Sequence, residues 1–226
     1  LSKLDSVFEA KSPRQLELRE QFSTPDHQRE TAMVGMWIFL ITEVLLFGAL
    51  FTAFTVYRLS DPQAFDLGSK DMEIVLGSVN TAVLICSSFT MALSVYFAET
   101  GNQKMLMLFL IVTMFIGAVF LAIKFTEYHA HYLDHKVPAF WFEESSPHAA
   151  QIEMFFVFYF VMTGLHALHM MIGLGVLTVL LFRTAIGSIT TEYHTPIEVG
   201  GLYWHFIDIV WIYLYAIFYI PGLHLK

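Results

Sequence analysis

Five long, mostly apolar runs separated by polar connections constrain this chain more than anything else in its 226 residues. The hydrocarbon core of a bilayer is about 30 Å thick, and a helix rising 1.5 Å per residue crosses it in about 20 residues. Five runs reach that length, at about 33–57, 74–97, 105–125, 154–182 and 202–220. Lipid offers no partners for backbone N–H and C=O groups, so each span must satisfy its own, as a helix does. The strict alternation of a barrel strand is absent. The expected fold class is therefore all-α, an integral membrane bundle of five helices. All seven prolines, Pro13, Pro25, Pro62, Pro138, Pro147, Pro196 and Pro221, fall outside the five runs, where a missing N–H costs least.

Composition agrees with that reading. Hydrophobic residues make up 56% of the chain and charged residues 14%, which is more surface than one soluble core of this size could hide. Residues 1–29 read as a polar, water-exposed N-terminal tail without the pattern of a secretory signal, and 30–226 as one membrane domain. The net charge of -8 says little about orientation, which follows the placement of Lys and Arg. With the N-terminus inside, Lys3, Lys11, Arg14, Arg19, Arg29, Lys104 and Arg183 lie on the cytoplasmic side, against Arg58, Lys70, Lys136 and Lys226 outside. Lys124 falls near a boundary. The balance points to a cytoplasmic N-terminus and a periplasmic C-terminus. Nothing in the charge pattern forms a nucleic-acid surface. Cys86 is the single cysteine, so neither an internal disulfide nor a two-thiolate metal site can form within one copy.

Ionisable groups inside a span are the candidates for function, because each costs about 2.5–3.5 kcal/mol on insertion scales and must face protein, water or a polar partner. Glu43 lies ten residues, about 15 Å, beyond Met33, too deep to reach water. It is either a protonated carboxyl bonded to a neighbouring helix or a group with a specific role, such as a contact with lipid or another subunit. His205 and Asp208 are three apart on the fifth span and share a helix face. Trp204 and Trp211 continue that side of the helix. An interfacial aromatic belt with a local ion pair explains the tryptophans. An Asp inside a span is better explained by contact with another helix or a lipid headgroup. His166 and His169 form a second i, i+3 pair, beside Gly164, Ala167 and Gly173. Imidazole pairs can ligate haem or metal, but two on one helix supply only part of a shell. Close helix packing, with each ring hydrogen-bonded across it, is the expectation. Glu127, His129 and His131 match no ligand spacing and read as a solvated helix end. The loop from about Thr126 to Gln151 adds His135 and His148, with Trp141 at a water–lipid boundary.

In chain order these motifs resemble subunit III of the haem–copper oxidases, the cytochrome c and quinol oxidase family. "MWIFLITEVLLFGALF" is similar to the family helix that carries a buried acid, which places Glu43 at the family's membrane-embedded carboxylate. "VNTAVLICSS" resembles the "LNT" start of the next helix, "YFAETGNQKM" the turn that closes it, and "KFTEYH" the end of the third. "GLHALHMMIG" and "LYWHFIDIVWIYLY" are the most specific matches, and the resemblance covers about Arg29 to Gly222. Long members have seven helices, with a lipid-holding cleft between the first two and the other five. This chain resembles the five-helix bacterial form.

The resemblance implies an accessory, non-catalytic subunit of a proton-pumping terminal oxidase in a bacterial inner membrane, supporting assembly, phospholipid binding and sustained proton uptake. Its partners would be oxidase subunit I, subunit II, other respiratory-complex subunits and phospholipid. Haem and copper would belong to those partner subunits. The residues agree, since a haem–copper core calls on more histidines than His166, His169 and His205, and a dinuclear copper site on more cysteines than Cys86. No catalytic residue and no metal site is expected here. Glu43, His205, Asp208, Trp204 and Trp211 are the expected lipid or subunit contacts, and His166 and His169 the polar core. Three alternatives stand beside this reading: the equivalent subunit associated with nitric oxide reductase, a haem-binding electron carrier using His166 and His169, and a small transporter using Glu43. The last lacks the interrupted helices often found at transporter sites.

Overall fold

The computed structural model describes residues 24–138, 141–142 and 147–222. Most of the expected tail at 1–29, and with it Lys3, Lys11, Arg14 and Arg19, lies outside them, as do Lys226 and the side chain of Trp141. The helices are α1 (Pro25–Ser60), α2 (Pro62–Lys70), α3 (Ile74–Glu99), α4 (Gln103–Leu133), α5 (Ala149–Ala185) and α6 (Thr195–Phe218). All but α2 are long and apolar enough to cross a membrane, so the chain is a multi-pass, all-α membrane bundle. A two-residue antiparallel ladder, β1 (Lys136–Val137) with β2 (Trp141–Phe142), lies in the α4–α5 connection.

Helix starts follow ordinary capping. The Thr24 hydroxyl accepts from the His27 N–H ahead of α1, Asp61 accepts from Ala64 ahead of α2, and Asn102 accepts from Met105 ahead of α4. Pro25, Pro62 and Pro196 sit in the first turns of α1, α2 and α6, where their fixed φ fits and no N–H is needed. The turn after α3 needs Gly101 at φ 77°, a backbone state that side chains rarely adopt.

The structure corrects one expectation about the connections and adds an element to another of them. The third span does not give way to loop at Phe125: α4 runs on to Leu133, which leaves a connection of residues 134–148 instead of 126–151. Helical hydrogen bonding carries on through polar sequence once a buried face gives it support. The connection between the first two spans also holds a helix, α2, with Ala64, Phe65, Gly68 and Ser69 buried. Ser69 donates to the Phe218 carbonyl and accepts from the Gly222 N–H, so α2 clamps the end of α6.

α6 is the central element. It packs against α3, α5 and α1, and half of its most apolar stretch is buried, against 17% for that of α1 at the periphery. Trp204 and Trp211, both 0% exposed, fill the centre. Gly117 on α4 and Gly173 on α5 make room for Trp204, since a Cβ at either would lie 2.9 and 3.0 Å from its ring. The indole N–H groups donate to Ser87 and Thr81 on α3, each at 3.1 Å. The two tryptophans therefore do not form the expected contact surface or interfacial belt. Small residues on neighbouring helices let the rings inward, and α3 hydroxyls take their polar edges.

Candidate functional site

Among the described residues, three groupings bring together ionisable side chains held within the bundle. At the first, α1 brings Glu43 to His169 of α5, with Oε2 3.0 Å from Nε2. The other ring nitrogen, Nδ1, lies 2.8 Å from the Leu165 carbonyl oxygen. A carbonyl only accepts, so Nδ1 carries a hydrogen, and a single further proton lies between Nε2 and the Glu43 carboxyl. Whether that proton sits on the acid or on the imidazole, the pair as a whole is neutral, which is the condition for keeping both groups in hydrocarbon. The Phe47 ring lies 5.3 Å from His169, and Tyr203 of α6 donates to the His169 carbonyl. Beside the pair an apolar cavity of 520 Å³ opens between α1, α5 and α6, lined by Met36, Phe39, Val176 and Val199.

For the second place the sequence predicts a solvated helix end, and the structure overturns that. Lys124 and Glu127 are 2% and 4% exposed, and the Lys124 ammonium donates to Glu127 Oε2 at 3.0 Å. Its other two donors go to the hydroxyls of Tyr159 on α5, at 2.9 Å, and Tyr219 just beyond α6, at 3.0 Å. Both tyrosines donate in turn to Glu127 Oε1. Every ammonium hydrogen thus has an acceptor, and both carboxylate oxygens accept, so a charged pair is closed off within protein. The rings of Tyr128, Tyr159, Trp211 and Tyr219 lie 4.8–5.6 Å from the ammonium and add their π faces. His131, one turn further, is buried among Phe156, Tyr159 and Phe160, whereas His129 is exposed. The i, i+3 spacing of Lys124 and Glu127 was a usable signal; the tyrosines 32 and 92 residues away from Glu127 were not.

At the third, His205 and Asp208 share a face of α6 as their spacing requires, and no ion pair joins them among the described residues. His205 Nδ1 is 2.7 Å from the Ser88 hydroxyl on α3. Asp208 is 5% exposed and lies beside the Ser88 hydroxyl, and neither carboxyl oxygen makes a full hydrogen bond within the described protein.

His166 also departs from expectation. It is 1% exposed and lies against the rings of Phe120 and Trp211, at 5.6 and 5.3 Å, with neither nitrogen hydrogen-bonded within the described residues. Its ring faces α4 and α6, while that of His169 meets α1, so the two imidazoles serve different contacts and offer no joint axial ligation despite their i, i+3 spacing. Both His169 nitrogens are already engaged.

Two contacts fasten the ends of the bundle. Arg29 of α1 binds Glu198 of α6 through Nη2 at 2.7 Å and Nε at 3.2 Å. His194 stands 3.1 Å from the same carboxylate. Glu99, His194 and Glu198 could together hold a cation, but the Arg29 fork already supplies one to Glu198. At the other end Asp61 meets His148 at 2.9 Å. The Ala64 N–H, then the His148 imidazole, hold the Asp61 carboxyl below the usual carboxylate range.

Comparison with known proteins gives one consistent result. The family profile described as cytochrome c oxidase subunit III matches residues 23–223. A cytochrome c oxidase subunit 3 of Alkalihalophilus pseudofirmus is 31% identical over 192 residues, covering 84% of this chain and 86% of that protein. A quinol oxidase subunit 3 of Bacillus subtilis is 30% identical over 201 residues, covering 88% and 92%. A probable quinol oxidase subunit 3 of Staphylococcus haemolyticus is 29% identical over 198 residues, covering 87% and 92%.

Proposed function

This chain belongs to the cytochrome c oxidase subunit III family, and from that premise we propose that it is the non-catalytic subunit III of a respiratory terminal oxidase in a bacterial inner membrane. The family match over nearly the whole chain carries the proposal. The relatives named above are oxidase subunits, which favours an oxidase over a nitric oxide reductase complex. In this reading subunit I is the main partner, subunit II and phospholipid are further ones, and haem and copper are held by the partner subunits. The occupied His169 nitrogens and the divergent His166 support a chain without haem of its own.

Within that role the polar groups divide the work. Glu43 and His169 hold one proton beside an apolar cavity open to the membrane, a setting for lipid or subunit contact. His205 and Asp208 form a second contact point on the α3–α6 face. The Lys124–Glu127 cage fixes α4, α5 and the end of α6 to one another. A cytoplasmic N-terminus would put Arg29 and Glu198 on the inner side and the cage on the outer side. Labelling of intact cells tests this orientation, with single cysteines placed at Thr24, in the α2 connection and in the α3–α4 turn of a Cys86→Ser chain. Label reaching the α2 connection but neither Thr24 nor the α3–α4 turn is the expected result. Purification through a tag on this chain tests the role: a haem-bearing subunit should accompany it, and a chain never found with one would end the proposal.

A further inference from the structure

We propose that the cavity between α3 and α6 is the seat of a transmembrane helix from another subunit, which delivers a hydrogen-bond-donating side chain to Asp208. The inference rests on the subunit III reading and names the partner chemistry at one of its contact points. The cavity measures 450 Å³, and its mouth is apolar, formed by Ile85 and Phe89 of α3 and Ile209 and Ile212 of α6. These four are 46–64% exposed, so nothing in the described chain covers them. At its base stand Ser88, His205 and Asp208.

Asp208 decides what kind of occupant fits. It is 5% exposed, neither carboxyl oxygen makes a full hydrogen bond in the described protein, and the polar group beside it is the Ser88 hydroxyl. Ser88 is bonded to His205 Nδ1, and its one hydroxyl can serve only part of the acceptor capacity of the carboxyl. A buried polar group without a partner is costly, and in hydrocarbon no solvent relieves it. Asp208 lies thirteen residues from the start of α6 and ten from its end, which places it about 20 Å and 15 Å from the two helix ends. That is mid-membrane depth. A lipid headgroup stays near the interface, and an acyl chain reaching this level brings no polar atom. A donor such as a hydroxyl, amide, indole N–H or cationic side chain on a spanning helix brings one, held in place by apolar packing against the Ile and Phe mouth. Polar side chains bonded between helices in this way contribute to membrane assembly.

The test uses the intact complex in native membranes. A photoreactive residue replaces Ile85 or Ile212 in turn, and crosslinked products are identified after purification through a tag on this chain. A crosslink to a spanning segment of another subunit is expected, together with loss of this chain from the complex in Asp208→Leu, on the order of five- to tenfold after detergent extraction. Asp208→Asn, which keeps an acceptor, should retain most of the wild-type association. Asp208→Leu removes a carboxyl that makes no full hydrogen bond within the described chain, so the bundle itself should fold, and equal amounts of the Leu variant and wild type in the membrane before extraction check this. Crosslinks to lipid alone, or equal retention of the Leu variant and wild type, would overturn the proposal. Failure of the family reading is separately visible, as absence of any haem-bearing subunit from the wild-type preparation.

Discussion

At the residue scale, the Lys124–Glu127 cage and the Glu43–His169 pair make opposite demands on a substitution. Lys124→Met leaves the Glu127 carboxylate buried without its cation, and Glu127→Gln strands the ammonium. Each should destabilise the chain by about 3–5 kcal/mol, the range for removing one partner of a buried pair. The double variant should cost less than the sum of the two, and a thermal-unfolding cycle in detergent checks it. Glu43→Gln behaves differently: the amide N–H can donate to His169 Nε2 in place of the acid. Glu43→Leu leaves that nitrogen unsatisfied at a cost of about 1–3 kcal/mol. Near wild-type stability for Gln and clear loss for Leu are expected from the same measurement. Equal losses would mean that the pair depends on charge and not on one shared proton.

At the scale of elements, close approach to α6 is set by glycines and its ends by polar clamps. Gly173→Leu would push a side chain into Trp204, which is hemmed in by α4 and α5, and should cost about 1–3 kcal/mol as overpacking. Tryptophan emission shifted to longer wavelength would report the ring displaced from its pocket. The α1–α2 junction should respond to acid. The Asp61 carboxyl is lowered in the folded chain, so its contribution is present above the unfolded value near 3.9 and is lost as pH falls through the lower folded value. Hydrogen exchange in α2 should therefore stay slow at neutral and mildly acid pH and quicken only below about pH 4. Asp61→Asn should remove that acid step, and an unchanged step would place its cause elsewhere.

At the scale of the molecule, the five spans are plain in the sequence because hydrophobic length alone specifies them. The helix ends are not, since α4 continues through polar residues supported by α5 and the end of α6. Glu127 looks like part of a wet helix end, and Lys124 like a boundary residue, because their tyrosine partners lie far along the chain and carry no charge to mark them. Trp204 and Trp211 look interfacial because composition cannot tell an indole facing headgroups from one drawn inward by Gly117 and Gly173. Glu43 and His169 each stand out in the sequence, but for separate duties, and only the α1–α5 packing joins them. On the proposed function, this chain serves a redox enzyme without binding the redox centre. Visible absorption of the tagged complex, before and after this chain is stripped from its companions by detergent, tests that claim most directly. Haem bands should be present in the complex, stay with the companion subunits and be absent from the separated chain; haem remaining on the separated chain would contradict the account.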